Sequence, residues 1–154
     1  MYKVYVLPII LYCCPLYCPP TKSLPIKLEK IKRYFTRRLY NRGFTGPIPD
    51  YSTRLRLLGL ITLNAVFKKT DLLTIYRLIN NRIPSHSFNF RFSTRSPHRI
   101  LLSRINTNIA RKYFTNRACC MWNKLIPPDS IANIHVFNKY LSSDRFLSAI
   151  DSRT

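Results

Sequence analysis

The sequence predicts a mainly α-helical protein: a small bundle of about four to five helices with a short extended or β segment near residues 86–102. Three observations predict it. Apolar residues recur at i, i+3 and i+4 through several long windows, the helical period. Glycine and proline clusters punctuate those windows. Alternation at period two is confined to one stretch around Phe88, Phe90 and Phe92.

The first element is apolar. Val4 to Cys18 is nearly free of charge and carries Pro8 and Pro15. A membrane-spanning helix takes ~20 apolar residues, and this run is shorter. A secretory leader has a basic start and a small-residue cleavage site, and neither is clear here. The run reads as a buried strand or a segment docked on the rest of a domain, in preference to membrane insertion.

Ser23 to Arg42 is the most strongly patterned stretch. Leu28, Ile31, Phe35 and Leu39 form one apolar stripe, while Lys27, Lys30, Lys32, Arg33, Arg37 and Arg38 fall largely elsewhere on the cylinder. Ser23 suits an N-cap, Pro25 a first turn and Gly43 a stop. This is a basic amphipathic helix with a single acid, Glu29.

Gly43 to Asp50 reads as a turn-rich linker. Tyr51 to Leu60 opens a short helix with Leu55 and Leu58 on one side, Arg54 and Arg56 off the stripe, and Gly59 ending it. A second long helix runs from about Leu63 to Asn80, with Thr62 as its N-cap. Its apolar surface is wide, as in a helix packed between two partners, and Asp71 on it suits a salt bridge or a cap. Asn80, Asn81 and Pro84 close it.

Ser85 to Asn106 reads as a short strand or an extended arm. Phe88, Phe90 and Phe92 alternate with Asn89 and Arg91, a pattern that suits either a strand on a core edge or base stacking in a single-strand site. A third helix is expected from Ile109 to Leu125, capped by Thr107 or Asn108, with Trp122 as a core anchor and Arg111, Lys112 and Arg117 toward phosphates or water. Pro127 and Pro128 stop it. Asn133 to about Leu147 forms a closing helix, frayed at Ser142–Ser143–Asp144. The organisation expected is an apolar segment 1–20, a basic helical region 21–84, a helical region with its arm 85–150, and a disordered tail 151–154.

Composition narrows the function. The chain carries 26 Lys and Arg against 6 Asp and Glu, a formal net charge of +20. Fold stability does not call for that excess, since self-repulsion opposes it, so a polyanionic partner is expected: RNA, DNA or an anionic membrane. Cys13, Cys14, Cys18, Cys119 and Cys120 form two tight clusters of odd total, which reads as reduced, intracellular thiols. His86, His98 and His135 stand singly, so no metal site is expected. No glycine-rich phosphate loop, paired aspartates or nucleophile–base pair is present in the sequence. A binding module is indicated, with no catalytic site and no cofactor.

The order of short motifs adds a resemblance. Leu7, Pro8, Ile10, Leu11 and Tyr12 form an apolar stretch, and Leu28, Glu29, Ile31, Phe35, Thr36, Arg37 and Leu39 a basic helix behind it. Tyr51, Arg54, Leu55, Leu58, Gly59, Leu60 and Leu63 follow in the pattern Y-x-x-RL-x-x-LGL-x-x-L, then Asp71, Leu72 and Tyr76. Arg95, His98, Thr107, Asn108, Arg111, Phe114, Arg117, Trp122, Asn123, Leu125 and Pro127 come next, with Phe137 and Leu141 beyond. In this order they resemble the region that follows the catalytic core in reverse transcriptases of jockey-like non-LTR retrotransposons (LINE elements), over about residues 5–147. The chain departs from that pattern at Cys13, Cys14 and Cys18, and it lacks the zinc knuckle found in many members.

The resemblance implies a thumb and C-terminal fragment of an RNA-directed DNA polymerase. The palm, whose catalytic aspartates lie in an A/F-x-DD box, has no counterpart here, so the fragment is expected to be inactive alone. It further implies that Lys30, Arg33, Arg37 and Arg38 hold the template–primer backbone by charge. With the charge pattern, the candidate nucleic-acid-binding set is Lys27, Lys30, Arg33, Arg37, Arg38, Arg42, Arg54, Arg95, Arg99, Arg111 and Arg117. The partners implied are RNA template, RNA–DNA hybrid or DNA, and the catalytic part of such a polymerase. The alternative is a small basic membrane-associated protein, with Val4 to Cys18 inserted and Ser23 to Arg42 on anionic headgroups.

Overall fold

Helical periodicity carries most of the chain into mainly α structure. The computed structural model describes residues 2–12, 14–17, 23–80, 90–96, 98–102, 104, 106–125, 133–143 and 146. In order these form a π-helical turn Tyr2–Val6, α1 Leu7–Leu11, α2 Cys14–Tyr17, α3 Ser23–Gly43, α4 Tyr51–Leu57, α5 Leu63–Ile79, α6 Asn108–Lys112, α7 Phe114–Leu125 and α8 Ile134–Tyr140. They divide into two units: Pro19–Val66, and Met1–Cys18 with Phe67–Thr154. The boundary lies inside α5, whereas the sequence suggested one near residue 84. The far part of α5 is tied to α7 and α8, which draws it into the larger unit.

In the unit Pro19–Val66, α3 ends where expected, with the Phe44 amide on the Tyr40 carbonyl at 2.9 Å and the two rings stacked at 4.8 Å. The Asp50 side chain caps α4, accepting from the amides of Ser52 and Thr53. Gly59 stops α4 in the left-handed region at φ 58°. That turn lets the Leu60 amide reach the Leu55 carbonyl and the Gly59 amide reach Arg56, a Schellman closure. Thr62 caps α5 through the Ala65 amide.

The face that α3 buries differs from the apolar stripe of its sequence. Lys32 and Thr36 are the buried residues, whereas Ile31 is 60% exposed and Leu39 39%. The reason is polar. Lys32 donates to the Ile61 carbonyl, and Glu29 one turn earlier accepts from the Tyr51 hydroxyl and, at 2.9 Å, from the Leu63 amide. These bonds turn the helix, and the apolar stripe follows them rather than leading.

In the larger unit the core gathers Leu72, Ile75, Tyr76, Trp122, Phe137 and Leu141. Tyr76 stacks on Phe137 at 4.9 Å, and Trp122 tilts onto the same ring at 5.8 Å. Trp122 donates from Nε1 to the His98 carbonyl at 2.9 Å, and the Asn123 amide both accepts from and donates to the Ile100 backbone. These adjacent side chains hold the arm, whose extended character in the described residues is one antiparallel bridge, Phe92 to Ile100. Phe88 lies outside the described residues, as do Asn81 to Pro84, Pro127 and Pro128, Cys13, Cys18 and the tail.

Two expectations are corrected here. The N-terminal apolar run is helical rather than a strand, and it is only partly buried: Tyr2 and Cys14 are inside, whereas Val4, Tyr5, Ile9 and Tyr12 are exposed. A short apolar run gives no period by which to tell helix from strand. The single helix expected from Ile109 to Leu125 is two, broken at Tyr113, whose backbone is extended at ψ 145°. Side chains of α7 fold back onto the end of α6. Asn116 donates to the Ala110 carbonyl, which also accepts from the Tyr113 amide, and Arg117 donates to the carbonyl of Lys112. Thr107 is the cap of α6, through the Ala110 amide.

Candidate functional site

The cations of α3 decide the site. Burying Lys32 and Thr36 leaves Lys27, Lys30, Arg33, Arg37, Arg38 and Arg42 exposed. At ~100° per residue they cover the half of the helix opposite Lys32, over about 22 Å of axis. Such a row of like charges is mildly self-repelling, and the inward bonds of Glu29 and Lys32 oppose that repulsion.

Among the described residues no ion pair joins a carboxylate to the arc. Glu29 and Asp50 are the two acids among residues 19–66. Glu29 serves the first amide of α5, and Asp50 serves the N-terminus of α4. Hydrogen bonds from Ser52, then Thr53, hold the Asp50 carboxyl down at about 2. Both acids are therefore used where helix ends present positive potential, and the outward side of α3 keeps one sign.

Lys32 is not part of the arc, although the sequence grouped it with the other cations. Desolvation lowers its pKa, and the neighbouring Glu29 opposes the shift in part. Arg33 sits at the edge of the arc, with its guanidinium carbon 4.7 Å from the Tyr51 ring centroid.

Two members of the candidate set are structural. Arg54 is 6% exposed, donates to the Pro49 carbonyl and lies over the Tyr51 ring. Arg117 makes a bidentate ion pair with Asp71, at 2.8 and 3.1 Å, and also donates to the carbonyls of Lys112 and Pro15. Burial raises the Asp71 pKa, with the Arg117 hydrogen bonds and charge opposing it. The expected salt bridge of Asp71 is thus with Arg117. Arg95 and Arg99 are exposed on the turn that joins the Phe92–Ile100 bridge, and Arg111 is exposed on α6. All three belong to the larger unit.

One feature of α3 escaped the sequence reading. A groove of about 300 Å³ is lined by Tyr34, Phe35, Arg38, Leu39 and Arg42. Arg38 donates from Nε to the Tyr34 hydroxyl at 3.0 Å, with its guanidinium carbon 5.3 Å from that ring's centroid. The signal was present in the spacing of Tyr34 and Arg38, one helical turn apart.

Among the described residues no cluster of His, Cys, Asp and Glu could hold a metal ion, and no helix is long and apolar enough to cross a membrane. The arrangement can bind an extended anion by charge and by multiple N–H donors. Set against protein-family models, curated proteins and solved structures, the chain matches none of them.

Proposed function

We propose that the chain binds the phosphate backbone of nucleic acid through the outward arc of α3, as the post-palm fragment of a jockey-like non-LTR reverse transcriptase without catalysis of its own. One observation carries the proposal: six cations share the outward half of α3, and both nearby acids are engaged at helix N-termini. Guanidinium and ammonium groups along about 22 Å fit several successive phosphates of a strand. The motif residues of the resemblance lend support. Glu29 meets Tyr51 and Leu63, Asp71 meets Arg117, and Trp122 meets His98, so its separate blocks are joined by side-chain hydrogen bonds.

The test is a salt titration of binding to an RNA–DNA hybrid. The native chain is compared with one in which Lys30, Arg33, Arg37 and Arg38 are all changed to Ala. Affinity falls steeply with salt for the native chain, and the variant loses about three to four units of log–log slope, near ~0.9 per phosphate contact. Hybrid binding that is absent, or unchanged by the four substitutions, overturns the proposal.

A second reading has its own observation, the exposed Val4, Tyr5, Ile9 and Tyr12 at the N-terminus. An apolar edge on a cationic protein suits association with the surface of an anionic membrane. Flotation with anionic vesicles that is lost on changing Ile9 and Tyr12 to Ser, without hybrid binding, favours that reading.

A further inference from the structure

One flank of α3, at the edge of the charged arc, offers more than charge. The ridge Tyr34–Arg38–Arg42 and the ridge Phe35–Leu39 follow the i to i+4 rows of the helix, and the groove lies along them. One wall is aromatic and cationic, and the other is apolar. Tyr34 is 61% exposed; Arg38 lies over one face of its ring, its direction fixed by the bond from Nε, and the other face is the one offered to a stacking partner. No carboxylate lines the groove.

A duplex would use little of this. It hides its bases in the stack and presents phosphates, for which the charged arc alone suffices. An aromatic ring and an aliphatic wall beside two guanidiniums match both halves of a nucleotide whose base is unpaired: a flat apolar face and a phosphate. The volume, about 300 Å³, is at the small end of ligand pockets and suits one such unit.

We propose that the α3 groove seats an unpaired nucleotide of a single-stranded segment, with the base against Tyr34 and Leu39 and its phosphate at Arg38 and Arg42. This rests on the reading of α3 as a nucleic-acid track and narrows it, from any polyanion to a strand with free bases. The occupant is argued from charge complementarity and from the aromatic wall together.

The experiment measures binding of the full chain to two labelled strands of equal length and charge, oligothymidylate of about 12 nucleotides and the matching abasic strand. Native chain is compared with Tyr34→Ala and Leu39→Ala, with far-UV circular dichroism to confirm an unchanged fold. The native chain prefers the thymidylate strand by about tenfold. Tyr34→Ala abolishes most of that preference and leaves the salt slope unaltered, since no charge is removed. Equal native affinity for the two strands overturns the groove assignment while leaving the charged track standing. Failure to bind either strand while the RNA–DNA hybrid is still held overturns the groove and leaves the track standing, and failure to bind the hybrid as well removes both. Tyr34-dependent capture by anionic vesicles, without discrimination between strands, overturns it in favour of a lipid surface.

Discussion

Lys32 shows at the residue scale how a side chain can be placed against its type. Its folded-state pKa lies below the ordinary lysine value because burial disfavours the ammonium. Between the lowered pKa and 10.5 the unfolded chain binds the proton and the folded chain does not, so stability rises with pH across that window. Lys32→Met removes the rise and costs about 1–2 kcal/mol at neutral pH, because the Ile61 carbonyl loses its donor while the desolvation of the ammonium is relieved. Urea denaturation as a function of pH reads both outcomes. Arg117 behaves differently, because its removal strands a buried carboxylate. Arg117→Met costs about 3 kcal/mol at neutral pH. The deficit shrinks in acid: the Asp71 pKa is raised, so the folded carboxyl takes up a proton at a pH where the unfolded one is still ionised. Pairing it with Asp71→Leu recovers most of the loss in a double-mutant cycle. The thiol of Cys119, pushed up to about 11 by burial and then by Cys120, is inert to alkylation at pH 8 in the folded protein. Maleimide labelling with and without denaturant shows the difference.

Glu29 governs the joints between elements. Its carboxylate links α3 to the start of α4 through Tyr51 and to the first amide of α5 through Leu63. Glu29→Gln costs about 2 kcal/mol, and Tyr51→Phe costs about 1 kcal/mol, as for hydrogen bonds to a charged acceptor and their loss from one side. The double variant falls short of the sum, because one carboxylate serves both donors. Equilibrium unfolding of the three variants checks this. Element positions were legible where the signal is local. The Gly43 and Gly59 stops and the Thr62 and Thr107 caps follow from backbone chemistry at single residues. The caps Asp50 and Asn133 carry the same kind of signal, which the sequence reading passed over. What was not legible depends on distant partners. The face that α3 buries is set by Ile61, about 30 residues away, and the break at Tyr113 by side chains of the next helix. Six cations of the candidate site follow from period and charge alone. Arg54 and Arg117 have the same type, yet they serve carbonyls and a carboxylate that only the fold brings to them.

For the whole molecule, the charge of +20 makes salt the leading variable. Raising ionic strength is expected to stabilise the fold while weakening any polyanion complex, two opposite responses of one protein to one titrant. Thermal melts in rising salt, run beside binding isotherms, measure the pair. The described fold divides into two units, and the hydrogen bond from Trp122 to His98 has an optical consequence. That indole is the chain's one tryptophan, and it is nearly sealed from water in the larger unit. Its fluorescence therefore reports the loosening of the arm and of the aromatic cluster around Phe137, while the unit Pro19–Val66 contributes only tyrosine emission. An emission red-shift that coincides with the loss of helical ellipticity means that both units melt as one cooperative body. A red-shift displaced from it resolves two transitions without any label.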